Sequence, residues 1–160
     1  MRFKSPGGLP LLPLLLPLLL WSCGEEAANG HIDNICDNSA DTIPFETGMV
    51  LTSQGGALQL TVVTTEPNPI DRGDNTWTVA LRDAAGDPVS GASVVLEPTM
   101  PGHGHGTFPA TFDGTPTGEP GHFLIGPFNL MMPGTWLLTF TVTPVDGEQG
   151  IIESGYCLES

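Results

Sequence analysis

The stretch TWLLTFTVT, Thr135 to Thr143, makes every second side chain large and apolar: Trp136, Leu138, Phe140 and Val142, with threonines mostly between them. A period of two is the pattern of a strand with one face buried and the other in water. Two further stretches repeat it. ALQLTVV (57–63) places Leu58, Leu60 and Val62 on one face, and TWTVALRD (76–83) does the same with Trp77, Val79 and Leu81. Shorter strand candidates are ASVVLEP (92–98), HFLIGPF (122–128) and IIESGYC (151–157). Turn-forming runs separate them: EPNPIDRGDN, DAAGDPVSG, DGTPTGEPG and PVDGEQG. With 21 glycines, 16 prolines and no capped amphipathic window, long helices are not expected. The spacing predicts an all-β fold, an immunoglobulin-like antiparallel β-sandwich of about seven strands, with Trp77 and Trp136 in the core.

Toward the N-terminus the chain changes character. Arg2 and Lys4 precede LPLLPLLLPLLL (Leu9 to Leu20), an apolar run too short to span a bilayer, and polar sequence follows Cys23. Residues 1–22 read as a signal peptide. LWSC, Leu20 to Cys23, resembles a bacterial lipobox, which implies a diacylglycerol-modified Cys23 as the mature N-terminus. Ordinary secretion, with Cys23 a spare thiol, is the alternative. Residues 23–41 are polar and aperiodic and read as a lipidated N-terminus and tether; 42–160 form the domain. Two or three acyl chains anchor stably where one does not. The expected location is therefore the bacterial cell envelope, lipid-anchored, on the outer membrane facing the periplasm, since Gly24 and not Asp follows the cysteine.

Once Cys23 is lipidated, Cys36 and Cys157 remain, one near each end of the mature chain. An exported pair reads as a disulfide, and neither cysteine lies in a CxxC that would favour metal. After cleavage two arginines, Arg72 and Arg82, stand against 18 acidic side chains, a formal charge of −16 with no lysine. Phosphate binding needs cationic side chains, so nucleic acid is excluded as a partner. The charge serves solubility at an envelope surface.

PNPIDRGDNTWTVALRDAAGDPVSGASVVLEPTMPGHGHGT, followed by FNLMMPGTWLLTFTV, resembles the YtkA-like/FixH-like domain family. Four separated motifs carry the likeness. They are Gly73-Asp74-Asn75 before a tryptophan strand, Asp83-x-x-Gly-x-Pro-Val-x-Gly-Ala, Met100-Pro-x-His103-Gly-His105-Gly, and Met132-Pro-Gly-x-Trp136. Cys36 and YCLE are similar to the secreted lipoprotein branch. The resemblance implies an exported immunoglobulin-like sandwich, and its FixH-like members are associated with copper supply to respiratory oxidases. FixH proteins carry a membrane helix, which this sequence lacks. A shared fold does not by itself carry function.

The residues themselves offer a site. TMPGHGHGTFP (99–109) holds Met100, His103 and His105 in a glycine frame, and Met131 and Met132 precede a second Pro-Gly turn. Thioether sulfur suits Cu(I), while imidazole suits Cu(I), Cu(II) and zinc. In extended backbone a spacing of two puts both rings on one face, and in a sandwich two such corners can meet at one end. A copper ion is the cofactor expected from this donor set. The competing reading is that Met-Pro-Gly twice forms two packed corners, with methionine filling irregular core space and the histidines bonding carbonyls at a bend. Both readings stand at this point. His122 is a weaker candidate that could approach the site; His31 belongs to the tether. Asp71, Asp74 and Asn75 lack a full EF-hand pattern and read as an Asx turn.

No catalysis is expected: there is no G-x-S-x-G, no H-E-x-x-H, no P-loop and no mature lysine. The sequence points to copper binding or delivery through a Met-His corner, with the membrane and an envelope protein as partners. The alternative is a non-metal module that docks on an envelope complex.

Overall fold

The computed structural model describes Cys36 and residues 42–159. The expected leader (1–22), Cys23, His31 and most of the expected tether lie outside the described residues. Among the described residues ten strands follow one another: β1 (Val50–Thr52), β2 (Leu58–Glu66), β3 (Gly73–Asp83), β4 (Ser93–Met100), β5 (His105–Gly106), β6 (Phe112–Asp113), β7 (Thr115–Pro116), β8 (His122–Leu130), β9 (Gly134–Thr143) and β10 (Gly150–Leu158). They form two antiparallel sheets, β1-β2-β3-β8-β7 and β10-β9-β4-β5, with β6 also paired to β4. Set aside β1, and the orders β2-β3-β8-β7 and β10-β9-β4-β5 are those of strands A-B-E-D and G-F-C-C′ of an immunoglobulin fold. Seven strands have three or more residues, as the spacing of the sequence anticipates; β5, β6 and β7 are two-residue pieces along the β4 to β8 crossing.

The core lies where the alternation puts it. Leu58, Leu60 and Val62 from β2, Trp77, Val79 and Leu81 from β3, and Trp136, Leu138, Phe140 and Val142 from β9 are all buried. Trp77 is central, with Phe45, Phe128, Phe140 and Tyr156 ringed around it at centroid distances of 5.5–6.1 Å. In β8 the inward set shifts phase, from Phe123 and Ile125 to Phe128 and Leu130. A bulge opposite Thr76 absorbs the extra residue: Trp77 pairs with Ile125 but Asn75 with Phe128. Gly126 makes it possible, with φ +120° and the Asn75 carbonyl 2.5 Å from where a Cβ would sit.

Cys36 is disulfide-bonded to Cys157 across 121 residues, Cα to Cα 5.7 Å, so the two ends of the domain are joined. Thr42 bridges Gly155 in parallel and the Ile43 N–H donates to the Gly155 carbonyl at 2.9 Å. The segment entering the domain thus covers part of the open edge of β10, which would otherwise offer unpaired backbone groups to another chain.

Register fixes what meets at one end. Thr99 pairs with Leu137, Leu158 with Gly134 and Gly73 with Leu130. The Pro101–Gly104 turn, the Met131–Pro133 turn, the Asp71–Gly73 turn and Cys157 therefore share one end of the sandwich.

Candidate metal centre

Met100 ends β4 and pairs with His105 in β5, and the four residues between them make a tight turn. The Met100 carbonyl accepts two N–H groups, from His103 and Gly104, each at 3.0 Å. His103 therefore sits in a turn and not in extended backbone, and the two rings converge for a different reason from simple alternation. Gly104 adopts φ +68°, a left-handed conformation that turns the chain back on itself. Gly106 is needed for close approach: a Cβ there would lie 2.5 Å from the Pro98 carbonyl. Gly102 has open space around it.

The result is an exposed imidazole pair with ring centroids 5.7 Å apart, inclined at 58°. Two imidazoles bound to one ion by nitrogen bonds of about 2.0–2.1 Å place their centroids roughly 5–6 Å apart, so the spacing fits a shared ion. With the proton on Nδ1, His105 donates to the Gly106 carbonyl at 3.3 Å and keeps the Nε2 lone pair free. That is the usual arrangement of a ligating histidine. A shallow cleft of ≈ 290 Å³ runs beside the pair, lined by Glu97, Thr99, Met100, Pro101, Gly104, His105 and Gly106.

The three methionines divide. Met100 is 0% exposed and belongs to the core, so for this residue the packed corner is what the structure shows. Met131 and Met132 are 71% and 36% exposed, on the turn between β8 and β9. The two Met-Pro-Gly sequences are thus not equivalent: one turns its methionine inward, the other presents it. Among the described residues no group of three or more His, Cys, Asp or Glu gathers around a point.

His122 does not approach. It opens β8 and pairs with Ala80, at the opposite end of the sandwich. Its Nδ1 lies 3.0 Å from the Pro120 carbonyl and its Nε2 3.5 Å from Glu119. Asn75 is fully buried and organises the turn before β3: its Nδ2 donates to the carbonyls of Asp71 and Gly73, and its Oδ1 accepts the Asp71 N–H.

Arg72, and the hydrogen bond made by the motif residue Trp136, escape a reading of motifs. Arg72 donates from Nε and Nη2 to the Met131 carbonyl, at 3.4 and 3.3 Å. Trp136 donates its indole N–H to the Met132 carbonyl at 2.9 Å. The available signal was the pairing of a tryptophan four residues after Met132 in an otherwise regular strand; nothing local marked Arg72.

The fold is an immunoglobulin-like β-sandwich with an exposed histidine pair and two partly exposed methionines on turns at one end. The YtkA-like family profile matches residues 53–141, more than half of the chain, and the chain belongs to that family. No curated protein and no solved structure matches it significantly.

Proposed function

We propose that this chain is a lipid-anchored cell-envelope protein that binds or delivers copper and performs no catalysis. The observation that carries the copper reading is the His103–His105 pair, exposed, 5.7 Å apart and held by a turn that Gly104 and Gly106 make possible. Both imidazoles supply nitrogen, and Met131 or Met132 supplies sulfur; Met100 joins only if its side chain leaves the core. Such a mixed set holds Cu(I) well and Cu(II) less well. Neutral imidazole is the ligating form, so affinity falls in acid. The anchor reading rests on LWSC and on the short apolar run before it. Mass spectrometry of the envelope fraction is expected to find a diacylglyceryl mass on a peptide beginning at Cys23; a mature terminus elsewhere, or an unmodified Cys23, overturns it.

Copper titration of the wild type and of the double variant His103→Ala/His105→Ala tests the site. Stoichiometric binding in the first and none in the second, with equal melting temperatures, is the expected result. If the wild type binds copper no more tightly than a simple His-x-His peptide, the metal reading is abandoned. A docking module without metal is the second reading. Phe108 favours it: the side chain is 100% exposed three residues from His105, on a loop braced by the Thr107 hydroxyl donating to the Pro109 carbonyl at 2.8 Å. Exposed aromatic side chains of this kind anchor protein interfaces.

A further inference from the structure

His103 and His105 are both exposed, with ring centroids 5.7 Å apart. Among the described residues the His103 ring meets only the His105 ring, and the His105 Nδ1 meets only the Gly106 carbonyl. Each imidazole therefore keeps a nitrogen free for an ion. The turn that carries them lies past the last pair of the β4 and β9 ladder, Thr99 with Leu137, so a second molecule can approach it end-on. Imidazole is a zinc ligand as well as a copper ligand. The donors that zinc takes in proteins are Cys, His, Asp and Glu, and a closed site holds the ion with four of them in a tetrahedron. One chain offers two, since no third such residue gathers with the pair among the described residues.

We propose that His103 and His105 form half of a zinc site that a second copy of this chain completes, so that one Zn(II) joins two molecules through four imidazoles. A twofold axis through the ion is sufficient: the same patch serves both sides, and the assembly closes at two. The formal charge of −14 on each chain opposes contact between copies, and a dication at the contact offsets part of that repulsion. Glu97 lines the cleft beside His105; its carboxylate attracts the ion and repels an approaching copy that carries none. Association is therefore tied to zinc. The inference shares the histidine pair with the copper reading above but uses none of its thioethers, and it stands or falls separately.

Sedimentation and metal analysis of the purified full chain test it, on wild type, His103→Ala, His105→Ala and a control at the opposite end of the sandwich, His122→Ala. With chelator present all four are expected to sediment as monomers and to melt at the same temperature. A half-equivalent of zinc is expected to double the mass of wild type and of His122→Ala, with one zinc per two chains, and to leave the other two monomeric. Where alanine lowers the melting temperature, His103→Gln or His105→Gln takes its place. A zinc ion bound one per chain on a monomer overturns the inference, as does a dimer that persists in chelator, a zinc dimer that survives the loss of either histidine, or a failure to bind zinc. Cu(I) titration of the same wild-type sample reads the copper reading independently. Cu(I) bound without a zinc dimer keeps that reading and removes this inference; a zinc dimer without Cu(I) binding does the reverse.

Discussion

Met100 and His105 face each other across the two-residue ladder of β4 and β5, yet the thioether is sealed in the core while the imidazole stands in solvent. Directly opposed residues of an antiparallel pair point to the same side of the sheet, so the boundary between core and surface falls between these two side chains. The methionine closes the end of the sandwich. The histidine lies just beyond it, on a platform that the core supports.

That boundary separates the roles of the methionines. Met100→Ala is expected to cost about 2–5 kcal/mol, as for other buried methionines truncated in a core. Met131→Ala is expected to stay within about 0.5 kcal/mol of wild type, because most of its side chain is already in water. Chemical denaturation of the two variants checks this, and equal losses would remove the distinction drawn here.

The histidine turn depends on Gly106 and not on Gly102. Gly106→Ala forces a methyl group against the Pro98 carbonyl, a backbone atom that cannot step aside, and is expected to cost about 1–3 kcal/mol and to spread the two rings. Gly102→Ala meets no atom within 4 Å and is expected to be neutral or to stabilise by up to about 1 kcal/mol through the unfolded chain. The two melting curves, with copper affinity measured on the same samples, report whether the glycine frame is specific.

Strict alternation made most of this fold legible. The inward residues of β2, β3 and β9 follow from the placing of Leu58, Trp77, Trp136 and their neighbours at every second position, and three shorter stretches mark β4, β8 and β10. The two bulges did not follow, because Gly126-Pro127 and the Val62 to Thr64 shift change the phase inside a strand. Nor did the three two-residue strands, which exist only because β4 and β8 offer them partners. At the site, the spacing of His103 and His105 suggested neighbouring rings through extended backbone, whereas the turn on the Met100 carbonyl is what brings them together. The different burial of Met100 and Met132 was not legible, since identical Met-Pro-Gly words close onto different surroundings. Arg72 was illegible for the same reason: its partner lies 59 residues away.

The Cys36–Cys157 bond closes nearly the whole domain into a loop. For a separation of 121 residues the chain-entropy account gives a stabilisation of about 5 kcal/mol. Cys36→Ser/Cys157→Ser is expected to lower the melting temperature strongly and to fray Thr42 and Ile43 from β10, seen as faster amide exchange at Ile43. Digestion without reductant should release one linked peptide pair. Two alkylatable thiols in the native oxidised protein would overturn the bond.

Tyr156 is the only tyrosine, and its hydroxyl donates to Met49 Sδ at 3.3 Å inside the aromatic ring around Trp77. Burial pushes its pKa above the ordinary value of 10.0, only partly opposed by the Ser154 hydroxyl. The unfolded chain ionises first, at the ordinary value, so the stabilisation is complete below pH 10 and is lost as pH rises toward the folded value. The loss is at most about 1.4 kcal/mol per pH unit. No lysine lies beyond Lys4, which keeps this alkaline window almost free of other titrating side chains. Tyr156→Phe keeps the ring packing against Trp77 and Phe45 and is expected to cost about 1 kcal/mol at neutral pH. Above pH 10 its stability should be flatter than that of wild type, so the two curves approach each other as pH rises. Tyrosinate absorbance reads this one group in the native protein; a midpoint at or below pH 10 would show that the phenol is not enclosed as the packing requires.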